Sequence, residues 1–329
     1  MNLNAKTVLV TGAGGFVGSH LVERLVRENC KVRCLIEYDS RGDIGWLEDV
    51  DADVSGEIEI IAGNLRDADA VGNCVAGMDA VFHLGALIAI PYSYENPRQV
   101  VETNVIGTLN VVQAARAANV ERVVHTSTSE VYGTARSVPI GEDHALQGQS
   151  PYSASKIGAD KIAESFHNSF DLPVATIRPF NIYGPRQSAR AVIPTIVSQA
   201  LSGKKVKLGS LHPTRDFTYV TDTAEGFVKV AECDTAIGGV FNVGSNAEIS
   251  IGDLVEKIAR LIGRDIEIER DDVRLRPEQS EVGRLWADNT LAAETFGWKP
   301  SVALDDGLGR TIEWIAANLD RYNIGAYTR

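Results

Sequence analysis

Thr7–Thr11 (TVLVT) is a short β-branched run, and Gly12-Ala13-Gly14-Gly15-Phe16-Val17-Gly18 follows it at once. Phe16–Glu28 then reads as an amphipathic helix. A strand that turns through glycines straight into a helix has few continuations, and the common one is a strand–helix–strand unit in a parallel sheet. Read as Gly-x-x-Gly-x-x-Gly, the triplet has a task for each member. Gly12 permits the tight turn, Gly15 lets a pyrophosphate approach the backbone at the helix N-terminus, and Gly18 lets helix pack on strand. Phe16 and Val17, the first helical residues between Gly15 and Gly18, are expected to join the cofactor contacts. The segment points to a dinucleotide.

The rhythm continues. Lys31–Ile36, Ile58–Ala62, Ala80–Leu84, Arg122–Thr126 and Val174–Ile177 are further apolar runs. Helical stretches at Ala68–Ala76, Pro97–Ala118 and Pro151–Ser169 separate most of them. This alternation predicts a Rossmann-type doubly wound parallel sheet, an α/β fold. After about residue 180 the pattern changes to helices with short strands, including Val240–Val243. The expected division is a dinucleotide-binding domain over 1–180, with 210–240 packing back at the interface, and a smaller α/β substrate lobe over 181–329.

Composition narrows the partners. The formal net charge of −12 argues against nucleic acid or an anionic membrane. It leaves room for an anionic small molecule held by a local arginine cluster. No apolar run approaches the roughly 20 residues of a membrane span. Cys30, Cys34, Cys74 and Cys233 form no C-x-x-C pair, and the first residues lack an apolar leader core. The expected setting is the cytoplasm, with the thiols reduced and inert.

The second strand ends Ile36-Glu37-Tyr38-Asp39. A carboxylate at that point bonds the adenosine ribose and repels a 2′-phosphate, which favours NAD over NADP. Glu37 and Asp39 both qualify, and Arg41 stands nearby. Further on come Ser127-Thr128-Ser129-Glu130-Val131-Tyr132-Gly133 and Tyr152-Ser153-Ala154-Ser155-Lys156. Tyr152 and Lys156 are four apart and share a helix face. A lysine one turn from a tyrosine can lower the phenol's pKa and make it a base. Glu130 adds a carboxylate beside two hydroxyls, so the pair of segments suggests oxidation of an alcohol followed by a second proton transfer.

Together these motifs resemble the extended short-chain dehydrogenase/reductase family, the sugar-nucleotide epimerases and dehydratases. Gly63-Asn64-Leu65-Arg66-Asp67, His83-Leu84-Gly85-Ala86, Thr103-Asn104-Val105-x-Gly107-Thr108, Arg178-Pro179-Phe180-Asn181-Ile182-Tyr183-Gly184-Pro185 and Arg215-Asp216-Phe217-x-Tyr219-Val220 extend the likeness over nearly the whole chain. The resemblance implies that Tyr152 takes the proton of a sugar C4 hydroxyl while hydride passes to NAD. Lys156 holds the nicotinamide ribose, and Thr128 bonds the same sugar oxygen. Asn64, Leu65, Leu84, Ala86 and Pro179 join the cofactor contacts. Asn64 stands where Asp is common, and Gly85 where Ala is common. Asn181 and Asn242 are expected at the substrate, and Arg215 at its diphosphate.

Glu130 divides the reactions. A 4-epimerase has no task for a strong second base, and related epimerases carry a small residue there. Beside a C4 ketone the C5 hydrogen is acidic, and a carboxylate can remove it and drive loss of the C6 hydroxyl. That is the 4,6-dehydratase cycle. Ser129 stands where glucose-type dehydratases have Asp, so the acid for the departing hydroxyl stays open between Glu130 and a water. The Thr-Ser-Glu triplet resembles mannose-type dehydratases and also UDP-glucuronate decarboxylases.

Leu87–Tyr94, Gln187–Pro194 and the Leu275-Arg276-Pro277-x-x-Ser280-Glu281-Val282 segment are similar to the nucleotide-linked N-acetylglucosamine 4,6-dehydratases of the legionaminic-acid pathway. The likeness implies UDP- or GDP-N-acetylglucosamine as substrate. Tyr92 and Tyr94 would meet the sugar, and Arg190 and Arg276, with Arg284 as a further candidate, the phosphates or base. No metal site is expected. Small residues along Val100–Ala118 and Tyr152–Ser169 fit the helix bundle by which such proteins form homodimers. Decarboxylase, 4-epimerase and a catalytically silent regulator that binds NAD or a nucleotide sugar remain the alternatives.

Overall fold

A computed structural model describes residues 1–324. Its centre is a seven-stranded sheet built from β1 (Thr7–Thr11), β2 (Lys31–Ile36), β3 (Ile58–Ala62), β4 (Ala80–His83), β5 (Arg122–Thr126), β6 (Val174–Pro179) and β11 (Val240–Val243). The order is β11-β6-β5-β4-β1-β2-β3, and every neighbouring pair is parallel. Strands buried on both faces read as continuous apolar runs, which is why Val8, Leu9 and Val10 are all fully buried. Strand order reverses between β1 and β4, so a crevice opens at their C-terminal ends.

Helices cover both faces. α1 (Phe16–Arg27) and α9 (Val220–Glu232) pack on the side of Val8 and Val10. On the side of Leu9 lie α3 (Ala68–Val75), α6 (Gly107–Ala117) and α7 (Pro151–Phe170). The short α2 (Ala52–Ser55), α4 (Ile90–Glu95) and α5 (Pro97–Val101) sit in the connections.

A second core holds the lobe together. It joins α8 (Val192–Ser202), α10 (Ile251–Ile262) and α12 (Leu304–Ala317) with β8 (Lys205–Leu208) and β10 (Phe217–Tyr219). Three short ladders brace it: β10 with β7 (Asn181–Tyr183), β12 (Ile249–Ser250) with β9 (Thr214–Arg215), and β13 (Glu267–Arg270) with β8. α11 (Thr290–Phe296) lies near β11.

Two features differ from the sequence reading. Val240–Val243, placed with the lobe, is the outer strand of the main sheet beside β6. The helix expected over Pro97–Ala118 is interrupted by a π-helical turn at Glu102–Ile106. That turn carries Asn104 inward, where its Nδ2 donates to the Leu87 carbonyl at 2.9 Å and to Ser155 Oγ at 2.9 Å. A wide turn of this kind re-aims a side chain without ending the helix, and it leaves no mark on the apolar pattern. The Tyr-rich stretch after β4 is a helical turn, α4, with Pro91 in its first turn.

Candidate active site

One cleft of about 1070 Å³ runs from the glycine loop to the lobe. Its cofactor end is shaped by backbone. A Cβ on Gly12 would stand 2.9 Å from the Gly85 backbone, and one on Gly18 would stand 2.2 Å from the Gly12 carbonyl. Gly12 also has φ +69°, a left-handed conformation that favours glycine. Gly15 is the extended residue preceding α1, so the helix N-terminus faces the cleft. The departure at Gly85 has a local cause: a Cβ there would meet Leu65 Cδ1 at 2.7 Å. These close approaches make a backbone cradle that fits a pyrophosphate.

A neutral histidine links this cradle to the catalytic helix. Gly85 N–H donates to Thr11 Oγ1 at 3.0 Å, and Thr11 Oγ1 meets His83 Nδ1 at 2.9 Å. Thr108 gives its proton to the Asn104 carbonyl, so it accepts from His83 Nε2 at 3.0 Å. Burial, then the neighbouring His125 and Lys156, hold the His83 pKa far below its ordinary value.

α7 is started by Ser150, which forms a reciprocal capping pair with Ser153, and by Pro151 in the first turn. Tyr152 and Lys156 therefore fall on the buried face of the first turns. Lys156 Nζ donates to the Thr126 carbonyl at 2.6 Å. Burial lowers its pKa to about 8, and Asp160 one turn on opposes that fall. Asp160 in turn fixes the end of β5. It accepts from His125 Nε2 at 3.1 Å and Ser127 Oγ at 2.7 Å, and it pairs with Arg178 at 3.1 Å. Asp160 thus faces two cations, Arg178 directly and Lys156 one turn away.

The expected lowering of the Tyr152 pKa is not found in the protein alone. Burial raises it, the Thr128 hydroxyl hydrogen-bonded to it lowers it, and the charges of Glu130 and Asp160 raise it again. Lys156 spends its hydrogen bond on the Thr126 carbonyl.

Thr128 caps a short turn, Ser129–Tyr132, by accepting from Glu130 N at 3.2 Å. The turn lays Thr128, Ser129 and Glu130 along the cleft wall with Tyr152. Glu130 Oε1 is 3.9 Å from Arg276 Nη1. Arg276 Nη1 also lies 4.0 Å from Glu281 Oε1, and Arg215 Nη2 lies 3.4 Å from the same oxygen. Arg215 is almost fully buried, which works against its charge, and Glu130 and Glu281 support it. Arg276 Nη1 and Asn181 Oδ1 are buried without a hydrogen-bond partner. The guanidinium nitrogen can serve an anionic group and the amide oxygen a hydroxyl or N–H donor, so the pair fits a ligand that carries both.

The cleft gathers most of the residues named from sequence. Gly12, Gly15, Phe16, Val17, Gly18, Glu37, Leu84, Ala86 and Pro179 line it at the cofactor end. Asn181, Arg190, Arg215 and Arg276 line it at the other. Glu37 lines it and Asp39 does not; Asp39 is bonded to Arg41.

Several named residues lie elsewhere. Asn64 bonds Arg66, and Leu65 packs behind Gly85. Tyr92 donates to Gln99, and Tyr94 reaches Ser280 Oγ at 2.6 Å, pinning the segment after Arg276. Asn242 is fully buried, accepting from Tyr132 Oη and donating to the Ile140 carbonyl. Its side chain is committed to the core, which corrects the expectation of a substrate contact. Arg284 is paired with Glu248 on the surface. Ile44, Trp46, Asp49 and Arg321 also line the cleft and carried no motif that sequence reading could use.

A glycine cradle at the strand-order reversal, with Tyr152 of the Tyr-x-x-x-Lys segment on the next wall, defines an NAD-dependent enzyme of the short-chain dehydrogenase/reductase type. The GDP-mannose 4,6-dehydratase family model matches residues 9–311, and the chain belongs to that family. It is 37% identical over 314 residues to a UDP-glucose 4-epimerase of Mycolicibacterium smegmatis, covering 93% of this chain and 97% of that protein. The dTDP-glucose 4,6-dehydratase of Streptomyces venezuelae, solved with NAD and TYD bound, superimposes with TM-score 0.87 at 30% identity. That match covers 96% of this chain and 99% of the other. A UDP-N-acetylglucosamine 4-epimerase of Methanobrevibacter ruminantium gives TM-score 0.87 at 31% identity, with the same coverage. The protein is an NAD-dependent nucleotide-sugar enzyme of the 4,6-dehydratase or 4-epimerase type. Among the described residues no helix is long and apolar enough to cross a membrane, and no cluster of metal-binding side chains occurs.

Proposed function

We propose that this protein is a nucleotide-sugar 4,6-dehydratase that acts on UDP- or GDP-N-acetylglucosamine and forms the 4-keto-6-deoxy sugar. The observation that carries the reading is Glu130 on the cleft wall between Tyr152 and Arg276. Epimerisation at C4 leaves such a carboxylate without work, whereas elimination needs a base at C5.

Glu37 and the glycine cradle would hold NAD, with Lys156 at the nicotinamide ribose. Bound NAD supplies the chemistry of taking a hydride from C4 and returning it at C6. Tyr152 accepts the proton of the C4 hydroxyl, and Thr128 orients that oxygen. Glu130 removes the C5 proton. The C6–O bond then breaks, and the hydroxyl leaves as water with a proton from Glu130 or a water; a proton returned to C5 accompanies the hydride at C6 and completes the 4-keto-6-deoxy sugar. Arg215, Arg276 and Arg190 supply positive charge for the diphosphate, and the unpaired Asn181 Oδ1 is an acceptor for a sugar or ribose hydroxyl. Exposed Val101, Ile106 and Phe170 on and between α5 and α7 support pairing of two copies through these helices, which light scattering in solution checks.

Mass spectrometry of the products separates the readings. Loss of one water from UDP- or GDP-N-acetylglucosamine is expected. An isobaric product would favour the 4-epimerase, a reading supported by the similarity to two epimerases. Loss of carbon dioxide from a UDP-glucuronate would favour the decarboxylase, and no turnover of any nucleotide sugar a regulator. In the dehydratase, Glu130→Gln keeps NAD and slow C4 oxidation but loses dehydration by about 10²–10⁴-fold. Dehydration at the unaltered rate would remove Glu130 from the role of base.

A further inference from the structure

The glycine loop is not free to open on its own. The segment after β2 lies against it: Trp46 N–H donates to the Gly14 carbonyl at 2.9 Å. A Cβ on Gly14 would meet the Ile44 carbonyl at 2.6 Å. The two backbones therefore move together. Trp46 and Asp49 line the cleft where this segment covers the cradle.

The far side of the same segment is held by the C-terminal part of the chain. Trp46 packs edge-on against Trp314 of α12, with ring centroids 5.4 Å apart. The Arg321 guanidinium lies over the Trp46 ring at 5.4 Å and pairs with Asp49 at 2.5 Å. Tyr322 Oη donates to the Gln187 carbonyl at 3.0 Å, and Arg186 next to Gln187 donates to the Asp49 carbonyl at 3.1 Å. Glycine loop, covering segment, lobe helix and the loop before Arg190 thus form one closed circuit of contacts.

We infer that Trp46, Trp314 and Arg321 form a clasp that retains NAD by holding the covering segment on the glycine loop. A reaction that returns its hydride inside one site needs a cofactor that does not leave between steps, and a latch supplied by the substrate lobe provides that. The inference rests on NAD as cofactor and not on the identity of the sugar. The measurement below contains no sugar, so its failure and the failure of the proposed reaction are separate results.

The test follows NAD dissociation from the purified NAD-bound protein after rapid dilution into an NAD-scavenging assay, with circular dichroism as a check of fold. Trp314→Ala and Arg321→Ala are each expected to speed NAD loss, Trp314→Ala by about 10-fold, the scale of losing an aromatic pair and the cation it seats. Ile315→Ala, on the same helix but turned into the lobe core, is expected to lower the melting temperature and leave NAD dissociation unchanged. If Trp314→Ala fails to fold, Arg321→Ala decides. Unaltered NAD dissociation in folded Trp314→Ala and Arg321→Ala, or equal acceleration by Ile315→Ala, overturns the clasp.

Discussion

The two ends of the cleft are built on different principles. At the cofactor end the shape is backbone against backbone, and the chain from Gly85 through Thr11, His83 and Thr108 has a partner for every proton. At the lobe end the wall carries long cationic side chains beside Glu130 and Glu281, and Arg276 Nη1 and Asn181 Oδ1 are buried without a hydrogen bond. A finished surface recognises one invariant shape. An unfinished one waits for charge. The common cofactor and the variable sugar nucleotide of this family match that contrast.

The most damaging change joins both ends. Tyr152→Phe removes the proposed base at C4 and should cut oxidation by about 10³-fold or more, with NAD still bound; residual activity within tenfold of the parent would exclude the phenol as base. Next, Gly18→Ala drives a methyl into the Gly12 carbonyl at 2.2 Å. It should cost about 2–4 kcal/mol of stability and most of the NAD content, read by calorimetry and bound-cofactor assay. Arg276→Ala should leave NAD content intact and raise the KM for the sugar nucleotide about 10-fold or more. Loss of NAD in that variant would show that the two ends do not act separately.

The last effect is nearly absent at neutral pH and lies at the seam. His20 on α1 donates from Nε2 to the Pro185 carbonyl. Burial, then Arg186, lower its pKa to about 4. The unfolded chain takes up that proton near pH 6.5, the folded one only near pH 4. Folding is therefore weakened as pH falls through this window, by up to about 3 kcal/mol at its lower end. His20→Asn should lose less melting temperature between pH 7 and 4.5 than the parent does. An equal loss would assign the acid sensitivity to other groups.

Much of the cofactor end was legible in sequence because it depends on local pattern. A buried parallel strand is a continuous apolar run, and a glycine that no Cβ can replace must be glycine. The lobe end was less so. Arg215, Arg276 and Glu130 meet only through the tertiary fold, and the arginines that line the cleft look in sequence like Arg284, which merely pairs with Glu248. Asn242, expected at the substrate from the family resemblance alone, stands in the outer strand of the sheet. Its register opposite Arg178 turns it instead toward Tyr132. Trp46 and Arg321 had no signal: an isolated aromatic and a terminal cation say nothing until the fold brings Arg321 to Asp49 across 272 positions.

The outer position of Val240–Val243 has a consequence for synthesis on the ribosome. β6 presents an unpaired edge from the moment Pro179 emerges, and its partner arrives only after much of the lobe has been made. At about 5–20 residues per second that edge is bare for seconds. An exposed strand edge invites pairing with other chains. A nascent chain stalled near residue 200 would therefore be the aggregation-prone species and the natural client of a chaperone. A fragment cut at residue 180 would inherit the same bare edge permanently.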